Sequence, residues 1–268
     1  MKAQGKTIVV TGAGGGIGRE LVIQLLSRGA RVAALDINEA ALAETRAAAG
    51  ANAERLSTHA INITDREAVE ALPAAVVAAH GAVDGLINCA GIIQPFVKLN
   101  ELQYDAIERV MNVNFWGLLY MTKTFLPHLL ARPEGHIVNI SSMGGFLPVP
   151  GQTVYGASKA AVKLLTEGLH SELTETGVRV TVVFPGAIKT DISKNSGLDM
   201  PSADDADAPK FTMTSPVDAA KTIIDGMERN AFRVTIGKDA AMMDRLCRLT
   251  PEKSAGIIYK QMKSLLDG

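Results

Sequence analysis

The apolar run TIVVT at 7–11 passes without a break into TGAGGGIG at 11–18, and a helical pattern over 17–29 begins on the last glycines. A β-branched stretch, a glycine turn and a helix in that order start a parallel β-α-β arrangement. Glycines at such a turn let the backbone bend tightly and approach a pyrophosphate, which the free N–H groups and dipole of the helix N-terminus stabilise. Gly12, Gly14, Gly15, Gly16, Ile17 and Gly18 are therefore candidate cofactor-binding residues. The alternative is a glycine-rich turn without a ligand; the strand before it and the helix after it favour a dinucleotide site.

The same alternation continues along the chain. Strands are expected at 7–11, 31–36, 55–60, 85–88, 136–141, 179–184 and 232–236, and helices at 17–29, 39–49, 65–80, 104–131, 153–176 and 216–229. The expected fold class is α/β: a Rossmann-type, doubly wound parallel sheet of seven strands with helices on both faces. With 268 residues, 47% of them hydrophobic, and no linker-like change of composition before residue 190, residues 1–268 read as a single domain. The acidic, aperiodic SADDADAPK at 202–210 marks a mobile loop over about 191–215, placed after the sixth strand to close over a site. A helical extension follows over about 238–268, with Pro251 separating two short helices.

Charge and composition exclude several classes. A formal net charge of -1 without a basic run gives no footprint for nucleic acid or an acidic membrane surface. No segment approaches the ~18 apolar residues of a membrane span, and IVV at 8–10 is too short for a signal peptide. Cys89 and Cys247 are far apart, which argues against a disulfide framework and for a reducing compartment. A soluble, cytoplasmic protein is expected. His59, His80, His128, His136 and His170 show no ligand spacing, so no metal is implied.

Two further features carry chemistry. Asp36, with Ile37 beside it, ends the second strand eighteen residues past Gly18, where a carboxylate accepts hydrogen bonds from an adenosine ribose and repels a 2′-phosphate. NAD is thus favoured over NADP, although Arg19 inside the first helix leaves aid to a phosphate open, and a helix cap is the plain alternative for Asp36. Tyr155 and Lys159 in YGASK stand one helical turn apart, thirteen or more residues after the serine pair at 141–142. That spacing sets an ammonium and a phenol on one helix face, as proton transfer near neutral pH requires.

With TGAGGGIG, NCAG at 88–91, NVNFWG at 112–117, NISS at 139–142, YGASK at 155–159 and PGAIKT at 185–190, the chain resembles the short-chain dehydrogenase/reductase family over about residues 5–195. The resemblance implies Tyr155 as general acid/base. Lys159 would lower the tyrosine pKa and hold the nicotinamide ribose, Ser142 would hold the substrate oxygen, and Asn114 would hold a water linking Lys159 to solvent. Ser141 and Asn112 are the competitors if the register slips. Asn88, Ala90 and Gly91 would back the adenosine pocket, with Cys89 a small buried residue. Asn62 and Ile63 would meet adenine, the amide oxygen of Asn62 accepting its amino group. Pro185, Gly186, Ile188 and Thr190 would hold the nicotinamide end.

The candidate substrate residues Ile92, Met143, Phe146, Val149 and Phe211 are apolar, as are Ile93, Phe96, Leu147 and Met213 near them. An apolar secondary alcohol or ketone is the expected substrate, each of these residues having core packing as its alternative. The resemblance also implies a homodimer or homotetramer built on the helices at 104–131 and 153–176, with Trp116 and the GLLYM run in the contact. An NAD-binding sensor without turnover and an S-adenosylmethionine-dependent methyltransferase are the competing classes; the latter leaves YGASK without a task.

Overall fold

Strand β1 (Thr7–Thr11) is buried along its whole length, as a strand covered on both faces must be. The structure, a computed structural model, describes residues 1–190, 192–198 and 213–262. With β2 (Arg31–Asp36), β3 (Leu56–Ala60), β4 (Gly85–Asn88), β5 (Gly135–Ile140), β6 (Val178–Pro185) and β7 (Arg233–Ile236), it forms a seven-stranded sheet in the order β3-β2-β1-β4-β5-β6-β7. Every pairing is parallel, with Val9 opposite Ala33 on one side and Leu86 on the other. The expected strands all form, shifted by at most a residue or two at their ends.

The helices α1 (Gly16–Ser27), α2 (Glu39–Ala48) and α3 (Arg66–His80) connect the first four strands. Their starts are legible: Asn38 and Asp65 accept from the N–H of Ala41 and Ala68, capping α2 and α3. Alternation along β1 sorts its side chains to two faces. Ile8 and Val10 pack with Leu21, Val22 and Leu25 of α1 and with Ile223 and Ile224 of α8 (Pro216–Glu228). Val9 packs on the opposite face with Val69 and Val76 of α3 and with Met121 and Phe125 of α5 (Leu118–Leu130). Each such side chain contributes about 1.5–3 kcal/mol by burial.

Two expectations need correction. The helix expected over 104–131 is α4 (Tyr104–Met111), a π-helical turn (Asn112–Gly117) and then α5. Periodicity does not register one inserted residue in a helix; here the side chain of Asn114 is drawn to the backbone of Ile92, and Gly117 lies against Ile63. Within the segment expected to be mobile over about 191–215, α7 spans Ile192–Asn195 and Thr214 bridges to Ile188. SADDADAPK and Phe211 lie outside the described residues. Within GLLYM, Leu118 and Met121 are buried inside the protomer, which leaves them unavailable to a subunit contact.

Beyond β7, α9 (Lys238–Leu249) and α10 (Pro251–Met262) are separated as Pro251 indicates, the proline taking the first helical position. Met243 and Ile258 from these helices pack on Leu147, with Met143 and Phe146 against the same cluster. The extension therefore lies over the segment that follows β5. Among the described residues, no helix is long and apolar enough to cross a membrane.

Candidate active site

Strands β1 and β4 are neighbours, yet the chain leaves them toward opposite sides of the sheet, and such a switch point opens a crevice at the carboxyl ends of the strands. Two stretches face each other there. Thr11 Oγ1 accepts from the N–H of both Cys89 and Ala90 at 3.0 Å, stitching the glycine turn to the NCAG turn. Gly12, at φ +67°, lies so close to Ala90 that a Cβ would stand 2.9 Å from its Cα. A Cβ at Gly18 would overlap the carbonyl oxygen of Gly12. Gly15 faces open space and starts α1 without any side-chain cap. Free N–H groups at an open, uncapped helix start suit a pyrophosphate, with Gly14, Gly16 and Ile17 completing the turn.

At the edge of that turn, Asp36 Oδ2 accepts from Gly14 N at 2.9 Å and Oδ1 from Asn38 N at 3.0 Å. Arg19 is drawn elsewhere, donating to Gly14 O and Glu44 Oε2 at 2.6 Å and to Thr45 Oγ1 at 3.1 Å. Ile37 is 70% exposed beside Asp36. Asn62 stands past the end of β3, but the oxygen expected to accept an adenine amino group is engaged by the N–H and hydroxyl of Thr64. Ile63 is buried in the core. Asn88 is spent on the interior, donating to Thr122 and Asn139.

Ser142 and Tyr155 meet at the end of β5. Ser142 is extended and caps a short 3-10 turn, its Oγ accepting from Gly144 N at 3.0 Å, and its hydroxyl stands near enough to the Tyr155 phenol to favour the phenolate. Tyr155 lies in the first turn of α6 (Thr153–Glu172), and Lys159 one turn on puts Nζ 5.9 Å from the centre of the tyrosine ring. Lys159 is almost wholly buried and donates to Ile140 O at 3.0 Å. Gly91 makes room for it: a Cβ there would stand 3.1 Å from Nζ and 3.3 Å from Asn114 Oδ1. Asn114, fully buried in the π turn, exchanges two 2.9 Å bonds with the backbone of Ile92 and donates to Ser158 Oγ at 3.0 Å.

The electrostatics differ from the expected ones in one respect. Burial raises the Tyr155 pKa above its ordinary value, and the Ser142 hydroxyl opposes that rise. Burial also lowers the Lys159 pKa to about 8, so the lysine changes charge near neutrality. Cys89 is inert, its thiol pushed up to about 12 by burial.

Pro185 and Gly186 end β6 and turn beneath α9. The Asp239 carboxylate fills the place of a Gly186 Cβ and accepts from Ala187 N at 3.2 Å. Ile188 packs on the core, while the Thr190 methyl stands 3.3 Å from where a Gly16 Cβ would be, which brings this segment to the glycine turn. Ile92, Met143 and Val149 are partly buried, Met143 against the cluster of Leu147, Met243 and Ile258. Phe146 packs edge-on to Phe184 at 5.3 Å, and Ile93 and Leu147 are buried. Sequence reasoning missed Thr11, Ser158, Asp239 and Gln94, whose roles are hydrogen bonds between distant segments. No local pattern marks them.

A model of the short chain dehydrogenase family matches residues 6–201. The chain is 39% identical over 252 residues to the SadH protein of Mycobacterium tuberculosis, covering 92% of this chain and 91% of that protein. It is 35% identical to a 3-oxoacyl-[acyl-carrier-protein] reductase, FabG, of Thermotoga maritima, over 72% of this chain and 78% of that one. Two solved structures share the fold with a TM-score of 0.81: a short-chain dehydrogenase/reductase of Burkholderia phymatum in complex with NAD, 26% identical over 94% of this chain and 96% of that one, and a short chain dehydrogenase of Burkholderia cenocepacia in complex with NADP, 28% identical over 96% and 99%. With this match and the crevice built as described, the chain belongs to the short-chain dehydrogenase/reductase family and is an NAD(P)-dependent oxidoreductase.

Proposed function

We propose that the protein oxidises an apolar secondary alcohol to its ketone, or reduces the ketone, with NAD as the preferred cofactor. The observation that carries this reading is the nearness of Tyr155 to Ser142 at the end of β5 and to Lys159 one turn on along α6. Gly12, Gly14, Gly15, Gly16, Ile17 and Gly18 would hold the pyrophosphate, and Asp36 the adenosine ribose. Ala90, Gly91, Pro185, Gly186, Ile188 and Thr190 would border the nicotinamide end. When bound, the nicotinamide ring supplies the acceptor or donor of the hydride exchanged with the carbinol carbon.

The rest of the chemistry falls to the chain. Ser142 holds the substrate oxygen by a hydrogen bond, so that the reacting carbon is fixed before transfer. Tyr155 takes the hydroxyl proton during oxidation and returns it during reduction. Lys159 holds a positive charge behind the phenol, and a cationic ring nearby favours the phenolate further, offsetting the burial that raises its pKa. Asn114 fixes the backbone of Ile92 and, from a π turn of the kind found at functional sites, supports a water path that refills the proton.

The preference for NAD is supported by the Asp36 carboxylate at the end of β2 and by Arg19, which Glu44 and the Gly14 carbonyl draw away from any 2′-phosphate. Ile92, Met143 and Val149 support an apolar substrate. Trp116 and Leu164, exposed on the π turn and α6, support a homodimer or homotetramer formed through these helices, working in the cytoplasm. A panel of alcohols with NAD or NADP tests the reading by absorbance of the reduced ring. Faster turnover of sugars or small polyols than of hydrophobic secondary alcohols would reject the substrate class.

A further inference from the structure

The start of α6 takes its cap from elsewhere in the chain. Its N-cap residue, Gln152, makes no side-chain bond to the helix start, although the first N–H groups of a helix lack partners within it. Gln94, fully buried in the segment after β4, supplies the acceptor. Its Oε1 accepts from Val154 N and Tyr155 N, both at 2.9 Å, and its Nε2 donates to Gly151 O at 3.0 Å. Its own carbonyl accepts from Gln152 Nε2 at 2.8 Å. One of the two capped amides therefore belongs to the residue assigned as acid and base.

The segment carrying Gln94 is itself fixed on either side. Ile92 is bound through both backbone groups by Asn114, and Ile93 N donates at 3.0 Å to Ser196 Oγ, just past α7. From Asn114 a second arm reaches the tyrosine: Nδ2 donates to Ser158 Oγ, which donates at 2.7 Å to Tyr155 O. Residue 155 is thus held by its N–H through Gln94 and by its C=O through Ser158. Both arms lead back to residues 92–94 and the π turn. A serine or aspartate at position 152 would cap the helix locally; a cap from sixty residues away also cross-links the catalytic helix to a wall of the crevice.

We propose that Gln94 is a positioning residue, setting where the Tyr155 phenol stands relative to Ser142 and Lys159. This rests on the acid/base role given to Tyr155 above. Misplacing a reacting group by an ångström costs about 10²-fold in rate, and a phenol drawn away from Ser142 loses the hydroxyl that opposes its upward pKa shift.

The test compares wild type, Gln94→Met and Gln94→Glu by NAD-linked alcohol oxidation across pH, with reduced-cofactor binding followed by fluorescence. Gln94→Met should bind the reduced cofactor as wild type does but lose at least about tenfold in kcat, with KM for the alcohol changing far less and the tyrosine limb of the kcat profile moving to higher pH. Gln94→Glu, which keeps an acceptor for both amides, should recover most of kcat. An unchanged kcat and limb in Gln94→Met overturns the proposal, as does a kcat that falls only in step with the count of cofactor-binding sites. If Gln94→Met does not fold, Gln94→Asn decides: it keeps the amide but draws it back by one methylene from Val154 N and Tyr155 N, so kcat should fall and the tyrosine limb rise, and an unchanged kcat and limb overturn the proposal. A wild-type protein without alcohol turnover would instead reject the role of Tyr155 itself.

Discussion

Ser141 Oγ donates to the carbonyl oxygen of Lys159 at 2.7 Å, which turns this serine inward and leaves its neighbour, Ser142, beside the Tyr155 phenol. The two serines should therefore fail differently. Ser142→Ala should lower kcat by about 10²-fold or more while the cofactor still binds. Ser141→Ala should cost about 1–3 kcal/mol of stability and keep its kcat per folded molecule. Thermal unfolding and steady-state kinetics on both variants separate the cases, and the reverse pattern would move the substrate contact to Ser141.

Asp36 should set the cofactor. Its carboxylate holds Gly14 N and would face a 2′-phosphate across the same gap. In Asp36→Ala the ratio of kcat/KM for NAD over NADP should fall at least about tenfold, or about 1.4 kcal/mol. A wild-type protein that works better with NADP would refute the assignment before any variant is made.

Lys159 should make the protein more stable at alkaline pH than at neutral pH. Its folded pKa of about 8 lies below its unfolded value, so between about 8 and about 10.4 the unfolded chain binds more protons and stability rises with pH. The stability contributed is present above the unfolded pKa and lost as pH falls through the folded one. Lys159→Met should thus be more stable than wild type at pH 7 by urea unfolding, and that gain should shrink through the same window. A constant gain would place the ammonium in solvent.

His136 should act at the acid end. It is buried beside Thr181, its Nε2 2.8 Å from Oγ1, and burial lowers its pKa to about 3. Stability from the neutral ring is full above the unfolded value of about 6.5 and is lost as pH falls toward 3. His136→Gln should remove up to about 1.4 kcal/mol per pH unit from the acid slope of unfolding free energy. An unchanged slope between pH 6 and 4 would show that the ring protonates without unfolding.

Much of this architecture was legible because it is local. Strands such as TIVVT and RVAALD declare themselves by composition, and Gly12, Gly16 and Gly18 by their order between a strand and a helix. Tyr155 and Lys159 share a helix face by spacing alone. The π turn at Asn112–Gly117 leaves no mark in the sequence, since one residue inserted in a helix does not register in a hydrophobic period read over several turns. Thr11, Gln94 and Asp239 were missed for another reason: each contributes a hydrogen bond across distant chain, visible only after folding. Phe146 shows the converse, since an apolar residue near a site reads alike as pocket or packing, and its ring lies edge-on to Phe184.

The most direct measurement is the formation of reduced nicotinamide, by absorbance, when wild type and Tyr155→Phe are mixed with NAD and a hydrophobic secondary alcohol. Wild type should turn over, and the phenylalanine variant should lose about 10²–10⁴-fold in kcat while binding the reduced cofactor undiminished. A phenylalanine variant that oxidises the alcohol as fast as wild type would contradict the assignment of residue 155 as the proton acceptor.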